Sequence, residues 1–121
     1  MNESLSLEWL LEIILREHSL EDGFEVWLDC GESVPMCPGS GFGSIGSRVY
    51  SVINTGNSET LTVGELREQV GRGLSQSHAA DAVCHLNPGD GYLYPLTSSV
   101  ISARANRFTL QGDPTARVPR P

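Results

Sequence analysis

The chain has 121 residues, a formal net charge of −7 and no lysine. Its length fits one domain, its 39% apolar content argues against global disorder, and no apolar run approaches the roughly 20 residues that span a bilayer as a helix. The charge is unevenly placed. The first 32 residues hold nine carboxylates (Glu3, Glu8, Glu12, Glu17, Glu21, Asp22, Glu25, Asp29, Glu32) against one cation, Arg16, whereas the other 89 hold six carboxylates and seven arginines. Such a segment repels phosphate and attracts basic partners. The acidic start lacks the basic region of a secretory signal. An odd set of three cysteines, Cys30, Cys37 and Cys84, does not suit a secreted disulfide scaffold. A cytoplasmic location with reduced thiols is expected, a Cys30–Cys37 bridge being the leading exception. Arginine without lysine fits GC-rich codon usage or selection against amine tagging alike.

Residues 5–18 read as a helix. Leu7, Leu10, Leu11 and Ile14 fall at i, i+3, i+4, i+7, with Ser6 placed to cap and Glu8 in the first turn. Trp9, Ile13 and Leu15 broaden the apolar stripe, as in a helix that packs on two sides or against a partner. After the turn at Glu21-Asp22-Gly23, Phe24 to Asp29 alternates as a strand with Glu25, Trp27 and Asp29 on its wet face. Five glycines, four serines and two prolines make residues 31–47 a loop. Arg48 to Asn54 is a second strand. Thr62 and Glu65 form a capping box for a helix running to about Val70 and stopped by Gly71-Arg72-Gly73. Ser75 then caps a third helix, in which Ala79, Ala82, Val83 and Leu86 repeat the helical spacing, and Asn87-Pro88-Gly89-Asp90-Gly91 ends it. Tyr92 to Leu96, Val100 to Ala105 and Phe108 to Gln111 are β-like, with Pro95 arguing for an edge. The fold expected is α+β: an N-terminal helix, a small mostly antiparallel sheet, and a helix-turn-helix-like pair followed by a C-terminal β-hairpin. Residues 1–111 form the domain and 112–121 a flexible tail.

Residues 62–111 resemble a helix-turn-helix with a wing, which implies a winged-helix transcriptional regulator reading DNA through Arg67, Arg72, Arg104 and Arg107. The outward positions of the third helix (Gln76, Ser77, His78, Ala80, Asp81, Cys84, His85) lack any cation for phosphate. His78, Asp81 and His85, at i, i+3, i+7, share a face suited to zinc or nickel, the basis of a small metal-dependent enzyme. Gly41 to Gly46 matches G-x-G-x-x-G, but a strand follows it where a dinucleotide site needs a helix. Cys84 and His85 are adjacent and would not face each other on a helix. No cofactor is expected.

The expected function is a non-catalytic, acidic protein-binding module without a membrane role. It would present Glu8, Trp9, Glu12, Glu25, Trp27 and Asp29 to a basic protein surface, the tryptophans serving as anchors. In size and charge the chain is similar to small inhibitors and immunity proteins of mobile genetic elements, anti-CRISPR-like inhibitors included.

Overall fold

A computed structural model describes residues 5–17, 20–32, 34–45, 49–54, 60–76 and 83–119. Among these, two helices, α1 (Leu7–Arg16) and α2 (Val63–Gln76), accompany eight strands. The strands are β1 (Glu25–Asp29), β2 (Cys37–Pro38), β3 (Gly41–Ile45), β4 (Val49–Ile53), β5 (Cys84–Asn87), β6 (Tyr92–Ser102), β7 (Arg107–Gly112) and β8 (Val118–Pro119). They form one curled, mixed sheet in the order β2-β1-β7-β6-β5-β4-β3, with β8 paired to β6. The architecture is mostly β, which overturns the expected α+β fold with its helix-turn-helix-like pair.

Three differences from the sequence reading have physical causes. The third helix is replaced, over its described end, by β5. Cys84 and Leu86 are buried one residue apart, and β5 aligns in parallel with β4 through Ser51↔His85 and Val52↔Leu86. The apolar residues of this segment satisfy a period of 2 as well as 3.6, and a ladder to a strand some thirty residues away decides between them. The second helix does not stop at Val70. It runs through Gly71 to Gln76, because Val63, Leu66 and Val70 bury one face completely and α2 also packs against α1 and β3. A glycine costs a helix about 1 kcal/mol, which that burial exceeds. The presumed loop 31–47 contains β2 and β3, the latter an edge strand paired antiparallel to β4.

Pro95 lies inside β6 between β5 and β7 rather than on an edge. It sits beside the irregularity between Leu96 and Ser98, where β6 passes from pairing with β5 to pairing with β7. A ladder that is already interrupted there tolerates a missing N–H.

The curl is held at Gly39 and Ser40, which join β2 to β3. Gly39 donates to Val26 O of β1 (2.8 Å), Ser40 donates to Ile53 O of β4 (2.8 Å), and Leu61 donates to Gly39 O (2.7 Å). A Cβ at Gly39 would lie 3.2 Å from Val52 Cγ1 and 3.4 Å from Val26 Cγ1, so glycine lets β1 and β4 approach each other across this residue. Within the curl, Leu10 and Ile14 of α1 and Leu66 and Val70 of α2 meet Val26, Leu28, Val52, Leu86, Leu96, Phe108 and Leu110 of the sheet. Each such side chain contributes roughly 1.5–3 kcal/mol by leaving water.

Strand direction creates one special rim. β1 runs parallel to β7 and β4 parallel to β5, while β6 is antiparallel to both β5 and β7. β1, β4, β5 and β7 therefore all point the same way, and their carboxyl ends (Asp29, Ile53, Asn87, Gly112) share one end of the sheet.

Candidate functional site

α1 presents the first of the expected binding residues. Ser6 caps the helix by accepting from Trp9 N at 3.1 Å, and Leu5 fixes its approach by donating to Leu96 O (2.7 Å) and accepting from Cys84 N (2.9 Å). With Leu10 and Ile14 buried, Glu8, Glu12 and Leu15 fall on the opposite side at i, i+4, i+7. Glu8 and Glu12 are exposed, and Leu15 is 60% exposed beside them. Glu12 pairs with Arg16 at 3.4 Å, both side chains in water, a contact worth at most about 1 kcal/mol. Trp9 is half-buried against the core and lies on the flank of this face.

Glu25, Trp27 and Asp29 occupy a different surface. They project from β1 on the side opposite Val26 and Leu28, away from the residues that meet the helices. Trp27 is half-buried and stands apart from the core cluster. Its ring lies instead 4.2 Å beneath the Arg107 guanidinium, and its Nε1 donates to Glu25 Oε1 at 3.4 Å. Asp29 Oδ1 accepts from Gly31 N at 3.3 Å. Along the sheet, Pro38, Trp27, Thr109 and Val100 stand in one register row, with Val100 48% exposed. The acidic residues of the N-terminal segment thus divide between a helix face and a sheet face.

The arginines named for DNA are engaged or separated. Arg67 pairs with Asp22 and donates through Nη2 to Ile14 O at 3.0 Å, placing a cation at the carboxyl end of α1. Arg72 bridges Glu68 at 3.0 Å within α2, Arg107 stacks on Trp27, and Arg104 is exposed in the turn between β6 and β7. No described helix follows α2 to enter a groove.

Of the metal stripe, only His85 lies among the described residues, and it is on a strand rather than a helix. His85 lies on β5, half-buried, with its ring Nδ1 3.2 Å from Val83 O, and burial lowers its pKa. His78 and Asp81 lie outside the described residues. Among the described residues no group of three His, Cys, Asp or Glu is placed to hold a metal. Gly41 to Ile45 is β3, so the G-x-G-x-x-G stretch opens no helix. Cys84 is fully buried and its thiol is pushed up to about 12, which leaves negligible thiolate for nucleophilic attack.

The rim at the strand ends escaped the sequence reading. Tyr94, fully buried, donates from its hydroxyl to Asp90 Oδ2 at 2.5 Å, and Arg117 reaches the same hydroxyl while stacking 4.2 Å over the Tyr92 ring. Asn54 donates to Pro88 O at 3.4 Å and hydrogen-bonds Cys37. Gly89 and Gly91, at φ 92° and 91°, let the loop after β5 turn back across these ends. Pro114 packs against Gly31 so closely that a Cβ there would lie 2.9 Å from its Cγ. The Asn-Pro-Gly-Asp-Gly run signalled a turn, but nothing local signalled that residues 30, 37, 54, 94 and 117 gather round it. A cavity of about 260 Å³, lined by Ser40, Thr60, Leu61 and Glu65, opens elsewhere, beside the capping box in which Glu65 Oε1 accepts from Thr62 N and Oγ1.

No described helix is long and apolar enough to cross a membrane. No family model, curated protein or solved structure matches the chain.

Proposed function

We propose that the chain is a non-catalytic protein-binding module. Its α1 face docks into a basic, partly apolar groove on another protein, in the manner of a small inhibitor or immunity protein. The observation that carries this reading is Leu15, 60% exposed on a helix whose other side is fully buried, and flanked by exposed Glu8 and Glu12. A leucine held in water by a rigid helix is pre-organised for burial, and helix-in-groove contacts use such i, i+4, i+7 anchors. The carboxylates beside it select a cationic rim and speed encounter. Support also comes from the net charge of −7, since the first 32 residues carry −8 and the remaining 89 carry +1.

The test compares the native chain with a Glu8→Lys, Glu12→Lys, Leu15→Asp variant, all three sites being exposed. Affinity capture from the native host should retain a basic protein with the native chain at low salt, release it as salt rises, and lose it with the variant at unchanged circular dichroism. A variant that retains the same protein removes α1 from the interface and sinks the proposal.

A further inference from the structure

We propose that Cys30 and Cys37 are the two halves of an intramolecular disulfide, formed by exchange with a small disulfide such as oxidised glutathione, that staples β2 to the end of β1. The register carries the idea. Val26 and Leu28 face the core, and Cys30, two residues further on, is buried on the same side. Cys37 is the direct antiparallel partner of Leu28, so its side chain leaves the sheet on that face too. The two sulfurs therefore lie one diagonal apart, and after burial itself a thiolate at Cys37 is the largest influence opposing ionisation of Cys30. Cys84 belongs to another neighbourhood, buried on β5 opposite Tyr50 of β4.

The diagonal must shorten for the bond to form. Cross-strand diagonals span about 7–8 Å between Cα atoms, and a disulfide uses about 4.4–6.8 Å. The ladder between β1 and β2 consists of Trp27↔Pro38 and Leu28↔Cys37, and Cys30 lies beyond it, followed by Gly31 at φ 104°. The contraction falls on Cys30 and Gly31, beyond the ladder, and leaves the paired residues in place.

The exchange balances in two steps. The Cys37 thiolate, the less buried of the two, attacks one sulfur of oxidised glutathione and expels a glutathione thiolate. Cys30 then loses its proton to solvent, attacks Cys37 Sγ and expels the second thiolate. Two protein thiols give up two electrons and two protons, and the small disulfide is reduced to two thiols. Burial pushes the Cys30 thiol up to about 12 and raises Cys37 as well. Formation is therefore slow at neutral pH. The same property protects the finished bond, because thiols of high pKa are poor leaving groups. The pair behaves as a durable staple rather than a fast sensor.

The experiment uses the full chain carrying Cys84→Ser, equilibrated with oxidised glutathione at about pH 7 and about pH 9, acid-quenched, alkylated and cleaved after Glu32 inside the turn. The expected product lacks two hydrogens, keeps the fragments on either side of Glu32 joined through Cys30 and Cys37, and forms about tenfold faster or more at the higher pH. The native chain should give the same linkage with Cys84 reduced. Adding Cys37→Ser should leave Cys30 free or singly glutathionylated. Equilibrium mixtures in which Cys30 and Cys37 are each alkylated or separately glutathionylated, or in which Cys84 is the partner, overturn the proposal.

Discussion

Arg67 in α2 donates to the carbonyl of Ile14 in α1, 53 residues earlier in the chain, while its other nitrogen holds Asp22. One guanidinium thus satisfies the last turn of one helix, ties it to its neighbour and fixes the turn before β1. Replacing Arg67 with Met keeps most of the aliphatic stem and removes the donors. The expected loss is about 1–3 kcal/mol in urea unfolding, since hydrogen bonds to charged groups are the stronger kind. Lysine should recover only part of it, because an ammonium cannot fork between two acceptors. Wild-type stability in the Met variant would show that Arg67 holds nothing together.

Two glycine-to-alanine changes should have opposite signs. A Cβ at Gly112 would sit 2.7 Å from Tyr94 Cβ and 3.3 Å from Leu86 Cδ1, and the nearer atom is the root of a buried side chain. Gly112→Ala should cost about 1–3 kcal/mol through forced repacking. At Gly71, inside α2, an added Cβ meets nothing within 4 Å. Gly71→Ala should stabilise by about 0.5–1 kcal/mol through helix propensity and a less flexible unfolded chain. Thermal midpoints measured side by side decide the matter, and equal effects would contradict both placements.

Stability should depend on His85 in a defined pH window. Burial holds its folded pKa below the ordinary value of 6.5. Between those two values the unfolded chain binds the proton more readily than the folded one, so stability is complete above about pH 7 and falls as pH drops through the window. The neighbours in register, Ser51 and Pro95, carry no charge to offset this. Urea midpoints should decline less steeply with acidification in His85→Gln than in the native chain. Parallel curves for the two proteins would remove His85 as the cause.

Trp27 should become wetter when Arg107 is truncated. The guanidinium 4.2 Å from the ring is its cover on that side, and such contacts contribute about 0.5–1 kcal/mol at exposed sites. In a Trp9→Phe background, Arg107→Ala should shift emission to longer wavelength and increase quenching by iodide. Unchanged emission would mean that something other than Arg107 shields the ring.

Features that depend on a few adjacent residues were legible in the sequence. The Ser6 cap, the inward Leu10 and Ile14 of α1, the alternation of β1 and the Thr62–Glu65 capping box each need partners within one or two turns, and each took the expected form. Leu15, read as broadening the α1 stripe, is instead exposed on the other side. The failures involve distant partners. The residues up to Leu86 satisfied a helical spacing, and what made the end of that segment a strand was β4, which no local pattern includes. Gly41 and Gly43 suggested a loop, yet β3 holds its place by pairing with β4 and by Phe42 N donating to Gln69 Oε1 of α2 at 3.0 Å. The acidic cluster was legible as charge but not as surface. Alternation sends Glu25, Trp27 and Asp29 off one side of β1, and only the position of the core determines that α1 displays Glu8 and Glu12 elsewhere.

The pairing of β1 with β7 has a consequence for biosynthesis. Glu25 lies beside Arg107 and Asp29 beside Gln111, so β1, which can pair early with β2, waits for the seventh strand before it has its parallel neighbour. Until then Val26 and Leu28 lack the flanking Phe108 and Leu110, which leaves part of their apolar surface uncovered in the nascent chain. The sheet is therefore closed on this side of β1 only after β7 has been made.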